Sequence, residues 1–145
     1  MEIDILLNIT PQGAVRSNGK YSMYHATKGN RVRKYVRYKK DLSIVMRSQG
    51  IENLPDEIEG ITFYLPIPNP EVGSKKIKAE KLSRINNPHQ QKPDIDNLIK
   101  PILDASGKDD SHIWKLGEVK KIWTEFGKGR TIIRLKEKYV LSLQK

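Results

Sequence analysis

Pro93-Asp94-Ile95-Asp96-Asn97-Leu98-Ile99-Lys100-Pro101-Ile102-Leu103-Asp104-Ala105 is the most strongly patterned segment of the chain. Ile95, Leu98, Ile99, Ile102 and Leu103 fall at i, i+3, i+4, i+7 and i+8, the spacing of one apolar stripe on an α-helix. A proline deep inside a helix removes an N–H and crowds the preceding turn. With Asp96 or Asn97 as the N-cap, Pro101 falls near the end of the first turn, where little is lost. Gly107 is then the natural C-cap.

Strand signals lie on both sides of this helix. Residues 3–9 are apolar and β-branched enough for a first strand, and Pro11-Gln12-Gly13 stops it. Asn18-Gly19 is a tight-hairpin signal. Over residues 31–49, Val32, Tyr35, Val36, Leu42, Val45 and Met46 mark a helix with one buried stripe, which Gly50 ends. Residues 61–67 read as a second strand, cut off by Pro66, Pro68 and Pro70. Residues 73–92 are polar, basic and flanked by proline, a long mobile arm with room for one helical turn or two. Downstream, residues 113–126 read as a strand, Gly127-Lys128-Gly129 as a hairpin turn, and residues 130–136 as the returning strand. Trp114 and Trp123 are expected beneath these last two strands. The expected fold is α/β of the mixed α+β kind: a small mixed sheet, two packed helices and a mobile basic arm at about 68–92, all within one domain over 1–145.

Composition narrows the function. The 145 residues hold 27 Lys+Arg against 17 Asp+Glu, a net charge of +10, and no cysteine. Disulfide frameworks, thiol nucleophiles and cysteine-ligated metals are excluded. No apolar stretch approaches the ~20 residues of a membrane span, and the two acids in the first four residues do not suit a signal peptide. A cytoplasmic basic domain with a polyanionic partner is expected, and nucleic acid is the commonest such partner.

Asp94 and Asp96 are the pair that points to chemistry. Two residues apart on a helix they would diverge by about 200°, but just before or at an N-cap both project from one side. Two carboxylates in one site repel, and a divalent cation removes that penalty. All-oxygen ligands suit Mg²⁺, with Mn²⁺ as a substitute. The alternative is an ordinary cap beside an exposed acid. Asp109-Asp110 is a second acidic pair, which a following strand can return towards the helix start; otherwise it is a solvated turn. Lys100 follows Asp96 by four residues and Asp104 follows Lys100 by four, so the three share a helix face. Lys100 is placed either to hold a phosphate oxygen or to form a surface ion pair.

Twelve basic residues fall in two segments: Lys28, Arg31, Arg33, Lys34, Arg37, Lys39 and Lys40, then Lys75, Lys76, Lys78, Lys81 and Arg84. Arg33, Arg37 and Lys40 share a helical face, expected to lie away from the Val32/Val36 stripe. Clustering on a chain already at +10 favours phosphate contact. Tyr21, Tyr24, Tyr35 and Tyr38 are interleaved, mostly as packing residues. His25, His89 and His112 show no metal spacing.

Together these motifs resemble the RusA family of Holliday junction resolvases. The matching block is Lys92-Pro93-Asp94-Ile95-Asp96-Asn97-Leu98-Ile99-Lys100, then Asp104-Ala105, Asp109-Asp110-Ser111-His112-Ile113 and Lys120. Pro11, Arg16, Gly19 and Tyr21 resemble the family's N-terminal hairpin, and Pro66, Ser74, Lys75, Lys76 and His89 the basic arm of phage-type members. The connection from Asp104 to Asp109 is several residues shorter than is usual in the family. The resemblance implies Asp94, Asp96 and Asp110 as metal-binding catalytic carboxylates and Lys100 as the essential basic residue. It also implies a bacterial or phage source, a homodimer, and paired symmetric cuts in a four-way junction. Arg16, Arg33, Arg37, Lys40, Lys75, Lys76, Lys78 and Lys120 are the expected DNA contacts. The rival readings are a non-catalytic nucleic-acid-binding module and a metal nuclease that prefers flaps or single strands.

Overall fold

The computed structural model describes residues 1–15, 30–105 and 110–143; Arg16, the Asn18-Gly19 turn, Tyr21, Tyr24, Gly107 and Asp109 lie outside them. Four strands form one mixed sheet: β1 (Glu2–Leu7), β2 (Glu57–Pro66), β3 (Lys115–Thr124) and β4 (Arg130–Lys136), in the order β1-β4-β2-β3. β4 is antiparallel to both its neighbours, while β2 and β3 are parallel. The register sets Ile5 opposite Ile133 and Ile133 opposite Ile61. Leu7, Thr131 and Phe63 form the next row. These rows are buried. The two-residue alternation leaves Asp4, Arg134 and Tyr64 towards the other face, where Arg134 meets Asp4 at 3.3 Å and Arg130 lies over the Tyr64 ring at 4.1 Å.

The Gly127 turn therefore does not close a hairpin, as the sequence suggested. β2 lies between β3 and β4. β2 carries Ile61, Phe63 and Leu65, and the most apolar strand gains most from neighbours on both sides. β2 also starts four residues earlier than expected. Its acids Glu57 and Glu59 do not interrupt it, because Lys136 and Lys115 pair with them at 3.1 and 3.5 Å. Gly60 and Gly117 permit the tight β2–β3 approach: a Cβ at 60 would stand 2.9 Å from the Glu118 carbonyl, and one at 117 would collide with the Glu59 carbonyl.

Helix α1 (Asn30–Ser48) buries Tyr35, Tyr38, Leu42 and Met46. The stripe is rotated from the expected one, and Val36 is exposed. Gly50, at φ 82°, ends the helix in a Schellman arrangement: Ile51 N–H donates to the Met46 carbonyl and Gly50 N–H to that of Arg47, both at 2.9 Å. The expected arm carries helix α2 (Lys75–Ser83), capped by Ser74, whose side chain accepts from Ile77 N–H. Its exit is tied to the sheet: Asn86 and His89 donate to the Trp123 and Lys121 carbonyls, and Trp123 N–H donates to Asn87. Helix α3 (Ile95–Ala105) buries Leu98, Pro101, Ile102 and Ala105 in the same cluster as α1 and the sheet. A fourth helix that the sequence did not announce, α4 (Glu137–Leu143), follows β4 directly. Its Tyr139 hydroxyl donates to Glu57 at 2.8 Å. Of the two tryptophans, Trp123 is buried as expected, while Trp114 is 72% exposed.

Candidate active site

α3 begins earlier than its pattern suggested. Leu98 N–H donates to the Asp94 carbonyl at 3.1 Å, so Asp94 caps the helix and Asp96 lies in its first turn. Pro101 therefore sits in the second turn rather than at the end of the first. Without an N–H it cannot satisfy the Asn97 carbonyl four residues back. Ala14 N–H does so instead, at 2.8 Å. The bond also docks the segment after β1 onto the helix start, where a Cβ on Gly13 would stand only 2.7 Å from Pro93 Cβ. The sequence allows this proline deeper in the helix because a non-helical donor reaches it.

With this phase, one face of α3 presents Asp96, Ile99, Lys100, Leu103 and Asp104. Together with Asp110 they line a shallow cavity of about 200 Å³. Lys100 Nζ lies 3.3 Å from an Asp104 carboxylate oxygen, and its side chain is half exposed. Asp110 is brought to α3 by a turn in which Ile113 N–H donates to the Asp110 carbonyl at 3.0 Å. That turn is pinned to the segment before β2: His112 Nε2 donates to Leu54 O at 2.8 Å, and Trp114 N–H to Asp56 O at 3.0 Å.

Asp96, Lys100 and Asp110 thus share one cavity, with Asp104 as a neighbour. Asp94 is exposed at the helix start. Among the described residues, no three His, Asp or Glu side chains are grouped closely enough to hold one ion. The donor set fits Mg²⁺ on chemistry: two carboxylates line one shallow, open cavity, and Mg²⁺ is commonly held by one or two carboxylates while keeping waters and taking phosphate oxygens.

The remaining expected contacts divide. Arg33, Arg37 and Lys40 line a groove of about 490 Å³ together with Val32, Val36 and Asp41. The cationic face adjoins Val36 rather than lying away from it. Lys75 and Lys76 are exposed on α2, while Lys78 pairs with Glu71 at 3.0 Å. Lys120 pairs with Glu118 at 3.3 Å. The next residue, Lys121, points to the opposite face of β3; it donates to the carbonyls of Gln91 at 2.6 Å and Pro93 at 2.8 Å. Sequence reading missed Lys121, although its two-residue phase with Val119 and Trp123 marks it as facing the helices. His89 is buried and stacks on Trp123 with centroids 4.1 Å apart. Burial first, and then the nearby Lys121 charge, lower its pKa.

The described residues contain no helix long and apolar enough to cross a membrane. A family model for Endodeoxyribonuclease RusA matches residues 8–136. The chain is also 30% identical over 128 residues to uncharacterized protein YqaN of Bacillus subtilis (strain 168), covering 86% of this chain and 85% of that one. With β2, β3, β4 and helices α1 to α3 inside the match, the chain belongs to the RusA endodeoxyribonuclease family, DNA nucleases of the Holliday junction.

Proposed function

We propose that this protein is a divalent-metal-dependent endonuclease that resolves four-way junctions by paired, symmetric phosphodiester hydrolysis as a homodimer. The observation that carries the reading is the convergence of Asp96, Lys100 and Asp110 on one cavity of a strongly basic chain. Asp96 and Asp110 are the residues that would hold Mg²⁺ or Mn²⁺ in this cavity, and Asp94, exposed at the helix start, would join them only once a bound cation drew the carboxylates together. Such a cation supplies Lewis-acid stabilisation of charge on the phosphate undergoing hydrolysis. Lys100 neutralises a phosphate oxygen in the same cavity, and Asp104 keeps its ammonium aimed along the helix face. The exposed cations of α1 and α2 hold the DNA backbones. A four-way junction has approximate two-fold symmetry, and a two-fold dimer matches it with two sites.

The test is cleavage of an end-labelled four-way junction in Mg²⁺ or Mn²⁺, beside linear duplex, flap and single strand. Paired symmetric cuts in the junction are expected, abolished in Asp96→Asn without loss of junction binding. Tight junction binding with no cut in either metal would support the binding-module reading. Preferred cutting of flaps or single strands would support the third.

A further inference from the structure

We infer that Lys121 is a positioning residue for the Asp94 carboxylate, acting through the peptide that precedes it. The inference rests on the proposed nuclease reading and adds to it a residue outside the acid cluster. Lys121 lies on β3 in phase with Val119 and Trp123, on the face towards α3. Its ammonium donates to the Gln91 carbonyl at 2.6 Å and the Pro93 carbonyl at 2.8 Å. Hydrogen bonds from an ionised donor are short and strong. The Pro93 carbonyl belongs to the planar peptide that also contains the Asp94 nitrogen. Holding that oxygen therefore fixes the plane from which the Asp94 side chain departs.

The other end of Asp94 is fixed as well, because its carbonyl accepts from Leu98 N–H at 3.1 Å. The Lys121 backbone adds a third tie by accepting from His89 N–H at 2.9 Å. One β3 residue thus holds the approach to α3 at two carbonyls and one N–H. Groups that orient metal-binding carboxylates without touching the ion typically change affinity or activity 10–100-fold when removed. A lysine that merely met DNA phosphate would face outward, as Lys120 does at half exposure.

The test compares Lys121→Met with Lys121→Arg, and with Lys128→Met, at an exposed position after β3, as a control for lost charge. Mn²⁺ affinity is measured by calorimetry on the full chain without DNA. Junction binding is measured in chelator, and cleavage as a function of Mg²⁺ concentration. Lys121→Met is expected to weaken Mn²⁺ binding by about tenfold or more and to raise the Mg²⁺ needed for half-maximal cleavage in step. Its junction binding in chelator should match that of Lys128→Met, and Lys121→Arg should recover most of the Mn²⁺ affinity. Should Lys121→Met not fold, Lys121→Gln, whose neutral donor sits on a shorter chain, is expected to lose part of the Mn²⁺ affinity, and unchanged affinity in that variant overturns the inference as well.

Unchanged Mn²⁺ affinity overturns the inference. So does a loss of junction binding large enough to explain the whole loss of cleavage, since that makes Lys121 a phosphate contact. Wild-type protein that neither binds Mn²⁺ nor cuts defeats the nuclease reading itself, and the inference with it. Normal wild-type behaviour with an unaffected Lys121→Met defeats the inference alone.

Discussion

Lys100 stands between Asp96 and Asp104 on one face of α3, and its position explains why a lysine is needed there. An exposed ion pair with Asp104 contributes under ~1 kcal/mol to folding, so stability alone is a weak reason for it. Lys100→Ala should therefore leave the melting temperature nearly unchanged and lower junction turnover more than junction affinity. Equal losses in turnover and affinity would make it an ordinary phosphate contact. His89 makes a second prediction at this scale. Its folded pKa lies below the unfolded value of about 6.5, so the unfolded chain binds more protons across that interval. The stability His89 contributes is then present above about pH 6.5 and is lost as pH falls through it towards the folded value. The difference in melting temperature between wild type and His89→Gln should shrink from pH 7.5 to pH 5.5. A difference that is constant with pH would show that the ring's ionisation is not linked to folding.

Among the elements, α3 is where pattern and structure part company most usefully. Its apolar stripe was legible in part: Leu98 and Ile102 are completely buried where the spacing put them, while Ile95 is 39% exposed and Ile99 and Leu103 border the cavity. Its start was not, because Pro101 argued for a later cap. The missing information was Ala14 N–H, more than eighty residues away in sequence from the Asn97 carbonyl it satisfies. Ala14→Pro removes that donor and leaves a carbonyl unpaired, at a cost of about 1–3 kcal/mol. In a Pro101→Ala background the helix regains its own donor, so the same change should cost less. Chemical denaturation of the four proteins measures the coupling; strict additivity would show that the Ala14 bond does not stand in for the helical one. β3 shows the same limit. Its alternation identified a strand, yet nothing local says that its neighbour is the parallel β2.

At the scale of the whole molecule, the excess of ten positive charges has to be placed before it can be interpreted. The exposed cations proposed to hold the DNA backbones lie on α1 and α2, on separate elements whose sequence positions are far apart. Changing Lys75, Lys76 and Lys78 together to Gln should weaken junction binding and reduce the slope of log affinity against log salt. Lys78 already pairs with Glu71, so Lys75 and Lys76 supply most of the effect. At about 0.9 per duplex phosphate contact, the slope should fall by about 2. An unchanged slope would remove α2 from the DNA interface.

Some properties of this protein follow from its sequence by itself. Charge excess, the absence of cysteine, the apolar stripe of α3 and the family's acid-rich block are all local or additive, and they are readable without a fold. Tertiary structure decided the rest. It put β2 between β3 and β4, since the strand with most buried apolar residues gains most from neighbours on both edges and strand order is a non-local choice. It turned α1 so that Tyr35, Tyr38, Leu42 and Met46 face the sheet and Val36 does not. It also brought Asp110 to the face of α3 that carries Asp96 and Lys100. That last placement depends on hydrogen bonds from His112 and Trp114 to the carbonyls of Leu54 and Asp56. Backbone acceptors are the same in every residue type, so no sequence pattern marks which of them will be used.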